Sequence, residues 1–522
     1  MDSSRISEIR KNATINCFFK QNPSKKYELT LDDMISNNLG GREVLFQGKL
    51  HNSIQPVCTS NIIDNASIQG LVMNALTTVL INCAATNIGP TRSSRMYYLF
   101  FFTVTAAYNW VEGDITGVKD NWNWSQRSVI DNGDVYRWMV LALNHSMPYL
   151  VPGWTPSIST TYISEFSKFS NAWDSWWDYR LNDGNLAAVA APSTSLLPNG
   201  NTLLEVTTSQ DLTNPIFYPN PKKWTPLSIS SVPKRYLTYN WESVKSTCLT
   251  AADDTAIASA AQVLFPTDSA RTTEIGDLLT LTSGLSDTQK VIAEFWAGGP
   301  NTVTPPGMCI WLWKEFILGA NITGVNGLSV LFKSGLDLAS GLFESSRLAW
   351  KLKLQNFQAR PIQDIRRIYA GTNVTLYNGN VVNGNVWVPF QPPTIVTPAF
   401  PDFPSGHSTF SQTFALIMSD WFGSSIPSIA GQFSNITLMS PILQSQTGNF
   451  GSFTINTGRS QIQPSVVPAA PITLTWTTWQ QIADSAGISR LYGGIHCTSA
   501  NTGGKEVANN LRPLHKAYWG LR

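Results

Sequence analysis

The chain is poor in charge. Asp, Glu, Lys and Arg make up 13% of its 522 residues, about half the share usual in globular proteins. Asn, Ser and Thr supply the surface polarity instead. The 36 basic and 34 acidic residues leave a net charge of only +2, too balanced for a nucleic-acid surface. Cysteine is scarce too: the six (Cys17, Cys58, Cys83, Cys248, Cys309, Cys497) form no CxxC pair. A metal cluster is therefore not expected, and a disulfide framework cannot be argued at this length. Met1 to Lys20 lacks the apolar stretch of a secretory signal. The most apolar run, Met96 to Val111 (MYYLFFFTVTAAYNWV), is short for a bilayer span and contains Asn109. It reads as a core helix, which counts against a multi-span membrane protein.

Hydrophobic residues reach 43%, enough for a globular core, and the length allows roughly two to four domains. Sequons at Asn123, Asn144, Asn373 and Asn435 read as polar surface in an Asn-rich chain. Residues 1–60 read as an irregular extension. Within it, Glu43 to Gly48 (EVLFQG) matches a viral cysteine-protease recognition site used in expression vectors, and natural sequence fits it equally. Residues 61–240 are expected to hold a first helical bundle and a long irregular connection. A second helical bundle is expected over 241–522.

The helical period begins with the stripe Ile68, Leu71, Val72, Leu76, Val79, Leu80 and Cys83. Gly89-Pro90 breaks it, and Thr91 or Ser93 is a cap for a helix over 95–111. Further helices are expected over 129–144, 161–179, 251–265, 287–297, 309–318, 328–359, 409–421, 476–491 and 503–516. Strand signals are weak except near Leu203 to Thr207 and at Val374 to Val388, where Asn378-Gly379 marks a hairpin turn. The class is mainly α.

Three segments carry chemistry: Lys353 to Pro361 (KLQNFQARP), Pro404 to His407 (PSGH) and Ser489 to His496 (SRLYGGIH). Lys353 and Arg360 lie seven apart, two helical turns, with Pro361 expected to stop the helix just after Arg360. Ser405 caps the helix that follows it, and the Gly406 amide at that N-terminus suits an anion. His407 beside it can exchange a proton near neutral pH. Gly493-Gly494 bends the chain so that Arg490 and His496 can aim at one point. Each segment alone fits a bland structural role. Together they supply cations, a hydroxyl, an amide and two of the chain's five histidines, an inventory for a compact, highly charged oxyanion.

The pattern K-x6-RP, PSGH, SR-x5-H resembles the vanadium-dependent haloperoxidases and the related type-2 phosphatidic acid phosphatases. Ile292 to Gly307 (IAEFWAGGPNTVTPPG), Lys223 to Leu227 (KWTPL) and Leu237 to Trp241 (LTYNW) resemble the haloperoxidase branch. The resemblance covers roughly residues 65–515. It implies two four-helix bundles in one compact unit, vanadium chloroperoxidase-like, with the site in the second. It implies His496 as axial vanadium ligand, and Lys353, Arg360, Ser405, Gly406 and Arg490 on the oxygens of orthovanadate. His407 is implied as the acid-base residue and Lys353 as the group polarising peroxide. Trp350 and Phe400 are implied on the halide side, with core packing as the equal alternative. The partners implied are hydrogen peroxide, halide and a small organic acceptor, with hypohalous acid as product. No nucleic acid or membrane partner is expected, and a homo-oligomer stays open. Where the family often places an Asp to brace the second arginine, this chain has Gly298-Gly299, so either another carboxylate such as Asp484 braces Arg490 or Arg490 is less firmly oriented. Two rivals remain: an acid phosphatase using His496 as nucleophile, and a non-catalytic oxyanion-binding protein.

Overall fold

Helix starts are written into the sequence by polar caps. Thr250 with Asp253, Ser286 with Gln289 and Thr478 with Gln481 each close a capping box, and Thr267 and Ser405 accept from backbone amides inside their own first turns. The computed structural model describes residues 65–108, 132–154, 176–189, 200–229, 232–320, 327–433, 436–443 and 446–520, with short pieces at 17–19, 56–58 and 322. The EVLFQG segment, most of the expected helix over 161–179, and the sequons at Asn123 and Asn435 lie outside them.

The longer described helices are α1 (Asn65–Thr86), α2 (Pro90–Tyr108), α3 (Asn132–Leu150), α4 (Ala251–Gln262), α5 (Asp268–Ser283), α6 (Asp287–Phe295), α7 (Thr304–Gly319), α8 (Gly327–Asn356), α9 (Pro361–Ile368), α10 (Gly406–Phe422), α11 (Trp479–Tyr492) and α12 (Thr498–Trp519). Among the described residues, strands occur only in short pairs and one three-stranded group. The hairpin around Gly379 pairs Asn373–Thr375 with Val381–Asn383, as the Asn-Gly turn predicts. Leu204–Glu205 pairs in parallel with Leu227–Ile229.

The chain divides into two compact units. One comprises 1–78, 100–176 and 322–333; the other comprises 79–99, 177–321 and 334–522. Every candidate site residue belongs to the second unit. There α10 packs against α7, α11 and α12, and α12 packs against α4. From Leu336 to Trp350, α8 is buried on all sides, the mark of a central helix. Its small residues permit this: a Cβ at Gly341 would lie 2.8 Å from Ile417 of α10. Ser345 and Thr413 hydroxyls meet across the same seam at 2.7 Å. Buried ion pairs tie the layers. Arg512 of α12 holds Asp337 of α8 and Asp420 of α10, and Arg347 of α8 holds Asp254 of α4.

Three expectations change. The helix carrying Lys353 ends at Asn356, so Arg360 is not in its last turn. Pro361 starts α9 at its first position, and Arg360 precedes it in extended conformation, as the residue before proline prefers. The cause is long-range. Lys223 pairs as a bridge with Gln358, and Trp224 and Ala359 amides donate across the same joint, drawing 357–359 out of the helix. Thr91 and Ser93 lie inside α2, which begins at Pro90. Sequence periodicity also passed over α5. The apolar run of α2 is buried throughout Tyr97 to Tyr108. Among the described residues, the helix with the length and apolarity to cross a bilayer is instead α1, 56% of whose apolar window is buried.

Candidate functional site

All three segments converge. Lys353, Arg360, Ser405, Arg490 and His496 are each at most 1% exposed, and Gly406 is buried beside them. His407 alone of this set keeps partial exposure, which puts it at the solvent side.

Lys353 reaches from the last turn of α8 to the loop before α10. Its ammonium donates to the carbonyls of Pro401, Asp402 and Pro404 at 2.7, 2.9 and 2.5 Å. An ammonium has three hydrogens, so all are committed to this loop. Burial and the Arg360 charge push the Lys353 pKa well down. The three carbonyls nevertheless need three N–H donors, which only the protonated amine provides.

Arg360 Nε donates to the Phe400 carbonyl at 2.7 Å, and Nη1 to the Ile495 carbonyl at 2.8 Å. Nη1 also lies 3.0 Å from His496 Nε2. Nη2 is buried without a hydrogen-bond partner. Burial pushes the Arg360 pKa down to about 10, against the pull of Asp402 and Tyr236. Arg490 donates from Nη1 to the Trp296 carbonyl at 2.9 Å, and its Nε is a second buried donor without a partner. Burial and then Arg360 push the Arg490 pKa down to about 9. Both arginines stay protonated at neutral pH, crowded and short of negative charge.

The brace proposed for Arg490 is not Asp484. That carboxylate is half-exposed and pairs with Lys505 at 2.5 Å. Among the described residues no carboxylate pairs with Arg490, and the Trp296 carbonyl holds it instead. The same carbonyl accepts from His407 Nε2 at 2.8 Å. Residue 298 faces this pair: a Cβ there would lie 3.2 Å from His407 Nε2. Burial, Arg490 and His496 hold the His407 pKa well below its ordinary value.

Ser405 caps α10, accepting from the Ser408 amide at 3.3 Å, which leaves its hydroxyl hydrogen to donate. α12 presses against this turn. A Cβ at Gly504 would lie 2.5 Å from the Ser405 carbonyl, and one at Gly503 2.5 Å from the Phe403 ring. Trp350 and Phe400 rings lie 4.8 Å apart, with the Lys353 ammonium 5.8 and 5.1 Å from their centroids. Trp350 Nε1 donates to the Leu237 carbonyl at 3.0 Å. The 223–227 and 237–241 stretches therefore act as braces. One clamps the joint between α8 and α9, and the other holds Trp350 and the loop at Ala399.

Sequence reading missed Asp402, Arg271 and Asp364. His496 Nδ1 contacts Asp402 Oδ1. Asp402 Oδ2 lies 2.7 Å from Arg271 Nη1, an ion pair off the ideal hydrogen-bond angle. Arg271 Nε donates to Asp364 at 3.0 Å. Burial works to raise the Asp402 pKa, but Arg271, His496 and Arg360 outweigh it and hold the carboxyl ionised. The signal available was position: Asp402 stands two residues before Pro404 in a chain sparing with acids.

A pocket of crowded cations with two unused buried N–H donors is built for a multiply charged oxyanion. No group of three or more His, Cys, Asp or Glu among the described residues could hold a bare metal ion.

Residues 336–514 match the family model of the VCPO second helical-bundle domain. No curated protein sequence matches the chain. Among solved structures, an apo-type bacterial vanadium-dependent chloroperoxidase is similar at 15% identity. The match covers 83% of this chain and 95% of that one, with a TM-score of 0.57. The holo-type bacterial enzyme is similar at 13% identity, over 84% and 94%, with a TM-score of 0.55. A bacterial vanadium-dependent iodoperoxidase is similar at 16% identity, over 84% and 95%, with a TM-score of 0.50. At these identities the structural likeness is one of fold. Residues 336–514 thus match the VCPO second helical-bundle domain, and the chain shares its mainly helical fold with these enzymes.

Proposed function

We propose that this protein is a soluble vanadium-dependent haloperoxidase that oxidises halide with hydrogen peroxide to hypohalous acid. The observation carrying this reading is the donor set. Arg360 Nη2 and Arg490 Nε are buried N–H groups without partners, converging with a helix N-terminus and an imidazole whose Nδ1 is engaged by Asp402. These residues fit orthovanadate: His496 Nε2 as the protein ligand, with Arg360, Arg490, Ser405 and the Gly406 amide on its oxygens. When bound, vanadate supplies Lewis acidity that activates peroxide towards halide.

The chain's residues do the rest. Arg360 and Arg490 neutralise the ligand's charge from fixed positions, so little reorganisation is needed as charge shifts. Lys353 adds charge, while its hydrogen bonds hold the 401–404 loop. His407 carries a proton on Nε2, directed at the Trp296 carbonyl, which leaves Nδ1 as the basic atom. Its partial exposure gives it solvent for proton exchange. Trp350 and Phe400 present apolar faces that exclude water.

One observation also favours phosphate ester hydrolysis. A carboxylate-oriented histidine is how a nucleophilic imidazole is set up, and Asp402 orients His496 in that way. The test is paired. Orthovanadate-loaded protein is assayed for peroxide-dependent bromination and iodination of a dye, and vanadium-free protein for aryl phosphate turnover. Halogenation that disappears in His496→Ala is the expected result. Efficient phosphate turnover without halogenation would establish the phosphatase instead, and phosphate binding with neither activity would leave a binding protein.

A further inference from the structure

We propose that Asp402 sets the tautomer of His496 and so decides which ring nitrogen is offered to the oxyanion. This builds on the oxyanion-site reading above.

One contact selects the tautomer. Asp402, as a carboxylate, only accepts hydrogen bonds, so the His496 Nδ1 facing it carries the hydrogen. A guanidinium only donates. Arg360 Nη1 lies close to both ring nitrogens, 3.0 Å from Nε2 and 3.4 Å from Nδ1, so it adds positive charge beside the ring without choosing between them, and the choice rests on Asp402. His496 therefore presents a basic Nε2 to the cation-lined side of the pocket.

Asp402 is held firmly enough to impose this. It is fully buried, and its amide donates to the Gln358 carbonyl at 3.1 Å. Its second oxygen is 2.7 Å from Arg271 Nη1. Arg271 is pinned in turn by Asp364 at 3.0 Å and the Ala359 carbonyl at 2.8 Å. A line of charge, Asp364, Arg271, Asp402, thus runs from α9 through α5 to the far side of the imidazole. The carboxylate also raises the basicity of Nε2, as outer partners of ligating histidines do. Asp402 touches neither ligand nor reacting atoms, so it is a positioning residue.

The decisive variant is Asp402→Asn. Arg271 Nη1 needs an acceptor, so the amide oxygen turns to Arg271 and the amide NH2 turns to His496. Nδ1 must then accept, the proton moves to Nε2, and the lone pair offered to the oxyanion is lost. The readout is the two-bond proton–nitrogen correlation spectrum of 15N-histidine-labelled protein. Five histidines keep it simple, and His496→Gln assigns the signal. The expected wild-type pattern is Nδ1–H without any added anion, changing to Nε2–H in Asp402→Asn. By calorimetry, orthovanadate affinity should fall ~10–100-fold in the variant. A wild-type proton on Nε2 overturns the proposal, and so does an Asp402→Asn protein that keeps Nδ1–H. Should the variant not fold, the wild-type spectrum alone decides. An Nδ1–H wild type that binds neither orthovanadate nor phosphate upholds Asp402's role and overturns the oxyanion reading, so the two failures are told apart.

Discussion

Replacing Lys353 with Met keeps an unbranched chain of similar length but removes an ammonium whose hydrogens all go to backbone carbonyls. The carbonyls of Pro401, Asp402 and Pro404 are left without that donor inside a closed interior. Each buried acceptor stranded in this way costs about 1–3 kcal/mol, or about 3–9 kcal/mol for the three. Two terms offset this. A buried ammonium no longer has to be desolvated, and its repulsion with Arg360 disappears; both are the causes that push the Lys353 pKa down. The net expectation is a loss of about 3 kcal/mol or more in the anion-free protein. Equilibrium urea unfolding without vanadate or phosphate measures it, provided the slope is unchanged between the two proteins. If Lys353 served only to contact a bound oxyanion, the anion-free protein would lose nothing, or gain from relieved repulsion. A loss below about 1 kcal/mol therefore refutes the reading of Lys353 as the clamp of the 401–404 loop.

Three further outcomes are expected. Gly504→Ala drives a Cβ into the Ser405 carbonyl at 2.5 Å, whereas a Cβ at Gly406 meets only the Phe410 and Trp350 rings at 3.6 and 3.7 Å. Gly504→Ala should cost about 1–3 kcal/mol in urea unfolding, while Gly406→Ala should keep stability and weaken orthovanadate binding by calorimetry. His407 and His496 are both held well below their ordinary pKa of 6.5, so the unfolded chain binds protons first as pH falls. Stability should be full above 6.5 and decline below it by up to about 1.4 kcal/mol per pH unit for each histidine, with a shallower slope in His407→Gln. Arg512→Leu strands the buried Asp337, which Arg512 holds at 2.7 Å; about 3–5 kcal/mol of stability should be lost, while calorimetry on the folded fraction finds orthovanadate affinity unchanged.

What could be read from the chain were the features whose causes are local. Ser405 and Thr478 announce helix starts because a cap bonds an amide two or three residues away. Asn378-Gly379 announces a hairpin for the same kind of reason. The three site segments were legible because each places chemically distinctive groups within nine residues or fewer. Misreadings came where a distant partner overrode local preference. The seven-residue spacing of Lys353 and Arg360 suggested one helix, yet the strand-like pairing of Lys223 with Gln358 ends α8 early.

The amino-acid order alone determined a mainly helical chain, its oxyanion-seeking side chains and the turns that expose them. Tertiary structure alone decided how those groups are held. Asp402 meets His496 across 94 residues, and the Trp296 carbonyl meets Arg490 across 194. Such pairings depend on which buried charge finds which partner once water is excluded. That is settled by packing, and no spacing along the chain encodes it.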